Sequence, residues 1–252
     1  MKDEGASFLL AVQFLTRLPV QTGTLYTPKR MANSVRYYPL VGVLVGAASA
    51  LVFIGADAML PQTISVLFAI VAGLLVTGAF HEDGLADTFD GVGGGLTREK
   101  SLEIMKDSRL GTYGTLALIA ALALKAAALI TLSSELLIAG LIAGHGLSRF
   151  SSVLVIITSR YVREDGTGKP VAGGASPTSF IIAVMTAGAV IAAWLVYLPA
   201  AALGIAVAGL MAGHILMRLF FEPKLGGYTG DTLGAVQQAS EIGFYLGLVA
   251  WV

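Results

Sequence analysis

An all-α, polytopic membrane helical bundle is the fold this chain predicts, on three observations. Of its 252 residues, 56% are hydrophobic and 13% charged, against roughly 45–50% apolar and 25% charged in soluble domains. The mean hydropathy is +0.79. Several charge-free stretches approach the ~20 residues that a helix needs to cross a hydrocarbon core about 30 Å thick. About seven spans are expected, near 38–60, 62–80, 112–131, 134–158, 178–199, 200–221 and 235–252. No long soluble segment interrupts them, so residues 1–252 are expected to form a single membrane domain.

The chain opens with 5–16, an apolar stretch too short for a span and closed at once by Arg17 and Pro19. It predicts an interfacial or re-entrant helix. Met1-Lys2-Asp3-Glu4 begins the chain and no small-residue cleavage signature follows, so no removable signal peptide is expected. The absence of cysteine excludes disulfides, thiolate metal ligands and a cysteine nucleophile. A net charge of zero gives no electrostatic reason to expect nucleic acid.

The basic residues sort by connection. Arg17, Lys29, Arg30 and Arg36 precede the first span, and Arg98, Lys100, Lys106 and Arg109 follow the second. Arg160, Arg163 and Lys169 lie between the fourth and fifth; Arg218 and Lys224 surround the end of the sixth. The alternate connections around Pro61, Ser133 and Pro199 hold no Lys or Arg. Because Lys- and Arg-bearing loops stay inside, the long polar loops are expected in the cytoplasm and the C-terminus on the opposite side. The expected location is the cell inner (cytoplasmic) membrane.

The chemistry concentrates in the connections, with the active site expected in 81–114 and 222–241. His81-Glu82-Asp83-Gly84-Leu85-Ala86-Asp87-Thr88-Phe89-Asp90 follows a charge-free run directly. Acidic groups flush against a span are costly there, and by default mark a functional site. Asp83, Asp87 and Asp90 stand at i, i+4 and i+7, which on a helix gives a stripe about 60° wide. Three like charges on one face repel, and a hard divalent cation, Mg²⁺ or Mn²⁺, removes that penalty. Gly93, Gly94 and Gly95 next offer either backbone N–H groups for an oxyanion or a plain hinge.

Residues 97–109 predict a short amphipathic helix, with Leu102 and Met105 facing apolar surface. Arg98, Lys106 and Arg109 are then free for phosphate, unless they belong to a solvated helix laced with ion pairs such as Glu99–Glu103–Asp107 against Lys100 and Lys106. Lys106, Asp107, Ser108 and Arg109, running into Thr112 and Tyr113, crowd charges and hydroxyls onto a helix entry that suits phosphate oxygens. Gly226-Gly227-Tyr228-Thr229-Gly230-Asp231 repeats the combination of glycines, hydroxyls and an aspartate. Gln237, Gln238 and Glu241 then enter the last span, where Glu241 needs a partner or a ligand. A buried pair with Arg149, near His145, is the structural alternative. Lys125 and His214 are expected to pack or snorkel rather than bind.

In order along the chain, these segments resemble one family, cobalamin synthase (adenosylcobinamide-GDP ribazoletransferase). The resemblance rests on His81-x-Asp83-Gly84-Leu85-Ala86-Asp87 and Leu102-Glu103-Ile104-Met105-Lys106-Asp107-Ser108-Arg109-x-Gly111-Thr112-Tyr113-Gly114. It continues in Gly226-Gly227-Tyr228-Thr229-Gly230-Asp231-x-Leu233-Gly234-Ala235 with Gln238 and Glu241. Phe14-Leu15-Thr16-Arg17-Leu18-Pro19 and Tyr38-Pro39-Leu40-Val41-Gly42 match its N-terminal signature. It implies an integral membrane, Mg²⁺-dependent transferase that joins α-ribazole, or its 5′-phosphate, to adenosylcobinamide-GDP and releases GMP. On that reading Asp83, Asp87, Asp90 and Asp231 are metal candidates, and Lys106 and Arg109 neutralise phosphate. The proton goes to Glu82, to one of the aspartates or to His81. The substrate-contact candidates are Gly93, Gly94, Gly95, Asp107, Ser108, Thr112, Tyr113, Thr229, Gly230, Gln238 and Glu241. The expected partners are the two substrates and the lipid bilayer, with self-association or association with other enzymes of the pathway left open.

Two other readings compete. CDP-alcohol phosphotransferases share the chemistry, but Asp87 stands where their Asp-x-x-Asp-Gly-x-x-Ala-Arg motif has arginine. A transporter would place its ion site mid-bilayer on broken helices, usually in inverted repeats, whereas here the motifs sit in the connections.

Overall fold

The computed structural model describes residues 2–164, 166, 168–172 and 176–252. The helices are α1 (Lys2–Leu15), α2 (Pro28–Ser34), α3 (Tyr38–Asp57), α4 (Gln62–Thr77), α5 (Phe80–Gly94) and α6 (Arg98–Ile104). They continue as α7 (Thr112–Ile130), α8 (Ser134–Thr158), α9 (Lys169–Ala172), α10 (Pro177–Tyr197), α11 (Ala200–Leu225) and α12 (Gly230–Trp251). Among the described residues the only β contact is an isolated parallel bridge between Tyr161 and Tyr228.

Five segments are long and apolar enough to cross a membrane by themselves: Pro28–Asp57, which joins α2 to α3, and α7, α8, α10 and α11. Their outer faces present Leu51, Leu116, Ile119, Met185 and Leu216, as lipid contact requires. The expected count of seven is not reached on this measure. α4 and α5 pass only as a pair, and an 86° bend separates them. α12 is long enough at 22 residues, but its Asp231, Gln237, Gln238 and Glu241 lower its apolarity and most of it is buried. It is the helix the others surround. The segment 5–16 lies within α1, whose 14 residues rise only about 21 Å. It docks on α2 and α3 through Leu10, Ala11 and Leu15, tied by Arg36–Glu4 at 2.7 Å.

Two close crossings organise the centre. α11 lies against α12 with Gly209 facing the Gly243 carbonyl, so that a side chain at either would collide with the other backbone. Small residues permit such backbone approach in bilayers. α5 meets α12 similarly: a Cβ on Gly84 would stand 2.6 Å from the Asp231 carbonyl, and one on Gly234 2.9 Å from that of His81. The corner between α4 and α5 is made by Gly78 (φ 65°) and Ala79 (φ 54°). It turns α5 away from the direction of its span, and we read α5 as lying along the membrane face, outside the spanning segments.

Candidate active site

α5 is polar on two faces, and each face meets something different. Asp83 is exposed and Asp87 half-buried, lining a cleft of about 400 Å³ together with Glu82, Arg17, Gly78, Ser108, Leu110 and Leu118. The Gly84–Gly234 crossing brings the tip of α12 alongside, so Asp231 joins the same field. Burial pushes the Asp87 carboxyl up to about 7, and the charges of Asp231 and Asp83 push it the same way. Asp231 is also raised, first by burial, although Arg163 opposes this from 2.7 Å. Arg163 is positioned by its own loop, which is stitched to the 226–228 turn by Val162 N–H to the Tyr228 carbonyl (3.0 Å) and Tyr228 N–H to the Arg160 carbonyl (2.9 Å).

The three-carboxylate stripe is corrected at Asp90. The α5 helix forms as the spacing predicts, but Asp90 is buried and both its oxygens accept backbone N–H groups. Gly111 donates at 2.7 Å and Gly114 at 2.8 Å, so Asp90 anchors the unpaired donors at the start of α7. Among the described residues no three His, Asp or Glu side chains form a metal-ligating group. What remains is a pair, Asp83 and Asp87, with Asp231 close in charge but engaged by Arg163. Two carboxylates suit Mg²⁺, which keeps several waters and takes further ligands from substrate phosphates. The donor set therefore fits that ion.

The second face of α5 points into the bundle. Glu82 accepts from Gln238 Nε2 at 2.8 Å, and Gln238 Nε2 also donates to Gln237 Oε1 at 2.7 Å. Gln237 Nε2 donates to Glu241 at 2.5 Å and Tyr245 OH to Glu241 at 3.2 Å. Lys125 Nζ stands 2.9 Å from Glu241 and 3.8 Å from Glu82, and His145 Nδ1 is 3.2 Å from Glu241. They surround a cavity of about 20 Å³, room for roughly one water. Lys125 is therefore not a snorkelling residue; it is 4% exposed and is the counter-charge of the core. Glu241 pairs with Lys125 and His145 rather than with Arg149, which donates to the His145 carbonyl at 3.1 Å. His214 is likewise held, 2.7 Å from Ser151 Oγ.

Several other expected site residues serve the fold instead. α5 runs through Gly94, so the N–H groups of Gly93 and Gly94 belong to the helix ladder, and that of Gly95 donates to the Gly91 carbonyl at 3.0 Å. None of them is available to an oxyanion. Gly93 makes room for the Tyr113 ring, and Gly95 for Ser101. Thr229 is fully buried in a capping box with Thr232, and Gly230 packs against Gly168. Gln238, Glu241 and His81 line the interior cavity, not the cleft.

The expected amphipathic helix forms as α6, capped by Thr97, with one exposed Lys100–Glu103 pair at 3.0 Å. Lys106 and Arg109 lie exposed beyond it, outside the cleft lining. Arg109 is chelated by Asp107, with Nη2 to Oδ2 at 2.6 Å, which holds the Asp107 carboxyl down at about 2. Of that segment Ser108 and Leu110 reach the cleft; Thr112 and Tyr113 are exposed on the first turn of α7. Arg17 and Arg163 are the cationic residues that the sequence did not single out for the site.

These features define a class: a multi-pass helical membrane protein with an acidic, arginine-flanked cleft at the corner of a bent helix pair. The chain belongs to the CobS family, cobalamin-5-phosphate synthase, whose model matches residues 7–249. It is 45% identical over 248 residues to the adenosylcobinamide-GDP ribazoletransferase of Shewanella frigidimarina (strain NCIMB 400), covering 96% of this chain and 94% of that protein. To the enzyme of the same name from Shewanella woodyi (strain ATCC 51908 / MS32) it is 42% identical over 258 residues, covering 100% and 98%. No solved structure matches the chain.

Proposed function

We propose that this protein joins α-ribazole, or its 5′-phosphate, to adenosylcobinamide-GDP with release of GMP, closing the nucleotide loop of a cobalamin. The observation that carries the chemistry is the pairing of Asp83 and Asp87 in one open cleft with Asp231 beside it, the Asp87 carboxyl being raised first by burial and then by the charges of Asp231 and Asp83. Phosphoryl transfer is mostly in-line positioning and charge neutralisation. A ribazole hydroxyl oxygen bonds to the phosphorus that carries cobinamide, and the bond from that phosphorus to the bridging oxygen breaks, releasing GMP. The hydroxyl proton passes to Glu82. This carboxylate lines the cleft, and its Oε1 is fixed by Gln238 while its Oε2 has no partner.

Asp83 and Asp87 would hold Mg²⁺, which supplies positive charge to the phosphate oxygens when bound. Asp231 is held by Arg163 at the edge of that pair and shapes its field. Hydroxyl attack on a phosphoanhydride needs no deep pocket, so a cleft of this size takes the diphosphate and leaves the corrinoid outside it.

Purified protein in detergent, given adenosylcobinamide-GDP, α-ribazole and Mg²⁺, should release GMP in step with cobalamin. Asp83→Asn and Asp87→Asn should each lower that rate about 10²–10³-fold or more, the scale of losing one electrostatic stabiliser, with the fold intact. Near-normal rates for both at limiting Mg²⁺ would remove the assignment. The cleft faces the cytoplasm in this proposal, on the strength of the Lys- and Arg-bearing connections. With no native cysteine, Leu96→Cys should resist an impermeant thiol reagent in intact cells and Met59→Cys should label; the reverse pattern inverts the orientation.

A further inference from the structure

Arg17 shares the cleft with Glu82, Asp83 and Asp87 yet makes no ion pair with any of them. Among the described residues its guanidinium has no hydrogen-bond or ion-pair partner. Its backbone, by contrast, is fixed. Arg17 N–H donates to the Val76 carbonyl at 2.7 Å, and Leu18 N–H to Thr16 Oγ1 at 3.2 Å. The side chain lies across Gly78, where a Cβ would collide with Nε and stand 2.7 Å from Cγ. Gly78 is thus required twice, for the left-handed φ of 65° that turns the α4–α5 corner and for the space the arginine occupies.

A solvent-exposed guanidinium that packs on Gly78, shares the cleft with carboxylates and pairs with none of them is open to an anion that arrives with its own cation. We propose that Arg17 is the diphosphate-docking residue of this cleft, taking two oxygens of the substrate's pyrophosphate through its planar fork. The inference rests on the reading that a GDP-activated substrate binds here, and it assigns the role that Lys106 and Arg109 do not fill. Arg109 is committed to Asp107, and neither lines the cleft. The division is simple: the aspartate side of the cleft carries the metal, and the corner where α4 meets α5 carries the fixed positive charge. A bidentate arginine–phosphate contact adds geometry as well as charge, which orients the leaving phosphate for in-line displacement.

The test uses two readouts on the full-length protein in detergent. Inorganic pyrophosphate, titrated with Mg²⁺ present, reports anion binding without turnover; the apparent KM for adenosylcobinamide-GDP reports it during turnover. Arg17→Met should weaken both about 10- to 100-fold, the range for losing a charge-assisted hydrogen bond. The Mg²⁺ concentration giving half-maximal rate should stay in place. Arg17→Lys should recover part of the loss, because charge returns without the fork. Gly78→Ala should reproduce the loss with the arginine still present, by displacing it.

Pyrophosphate affinity and KM unchanged in Arg17→Met would overturn the proposal. So would a Mg²⁺ requirement that shifts as much as the KM, because Arg17 would then be acting through the metal pair. Should wild-type protein release no GMP, the functional reading falls, while an Arg17-dependent pyrophosphate titration still upholds the anion site.

Discussion

Two groups of acids share α5 and α12 and are built in opposite ways. The inner one, Glu82 and Glu241, is buried and compensated by Lys125, His145, Gln237, Gln238 and Tyr245. The outer one, Asp83, Asp87 and Asp231, has a single arginine partner, and the Asp87 and Asp231 carboxyls are raised first by burial and further by the neighbouring acids. Glu82 and Asp83 are consecutive residues, separated only by the ~100° turn of a helix. A bundle core has no water to screen charge, so charges placed there must balance locally. The cleft can be left unbalanced because a ligand will complete it. Local surplus of one sign thus marks the metal side of the cleft and local neutrality the core, with Glu82 on the boundary, lining both.

The largest expected effect comes from breaking the inner balance. Lys125→Met takes the ion-pair partner from Glu241 and leaves buried Arg149 as the remaining cation near Glu82 and Glu241, which should cost about 3–5 kcal/mol of stability, as for other broken buried pairs. Thermal unfolding in detergent would read this as a large drop. Lys125→Met with Glu241→Gln should recover much of it, since removing both charges restores neutrality. A double variant no better than the single would mean that Lys125 is held for packing instead.

A smaller effect separates the outer group. The Asp87 carboxyl is raised to about 7 from the ordinary 3.8, so between those values the folded state binds more protons than the unfolded one. Stability of the metal-free protein should therefore be highest below about pH 4 on this account and fall as pH rises through 7. Asp87→Asn should flatten that slope, and millimolar Mg²⁺ should reverse it by favouring the ionised form. A slope identical in wild type and Asp87→Asn would place the raised carboxyl elsewhere.

The smallest effect marks where the acidic stripe stops being a site. Asp90→Ala removes the anchor of α7 and should cost about 0.5–2 kcal/mol, the scale of a lost helix cap, with the Mg²⁺ dependence of turnover unchanged. Arg109→Lys, which disturbs an exposed pair worth at most about 1 kcal/mol, should be close to silent in both measurements.

Much of this was legible in the chain, and the failures have physical causes. The long apolar helices follow from charge-free runs, but the 86° corner does not: it falls at Gly78 and Ala79, inside the run 62–80 that reads as one span. α12 was visible as a helix but not as the centre, because its polar groups look misplaced until their partners on α5, α7 and α8 are known. Lys125 resembles a snorkelling lysine in its own segment; only the fold brings Glu241 and Glu82 to it. Gly91-Val92-Gly93-Gly94-Gly95 carries the composition of a loop, yet all but its last residue are helix, thinned at Gly91 for Met105 and at Gly93 for Tyr113. Asp83 and Asp87 were found because their spacing is local. Arg17 and Arg163 were not, since the cleft brings Arg17 to α5 and the pair with Asp231 brings Arg163, each from another part of the chain.

The corner at Gly78 and Ala79 carries one more consequence. Ala79 sits in a left-handed conformation that costs an alanine about 1–2 kcal/mol, so the turn is held at a fixed place rather than sliding along the chain. Everything after it is counted from there. One residue inserted between Ala79 and Phe80 would rotate α5 by about 100°, carrying Glu82 out to the position of Asp83 and His81 into that of Glu82. The core would keep only Glu241, and the cleft would exchange Asp83 for Glu82 and lose Asp87 to the buried position of Thr88. The distinction between inside and outside acids is stored as an integer, the number of residues from that corner.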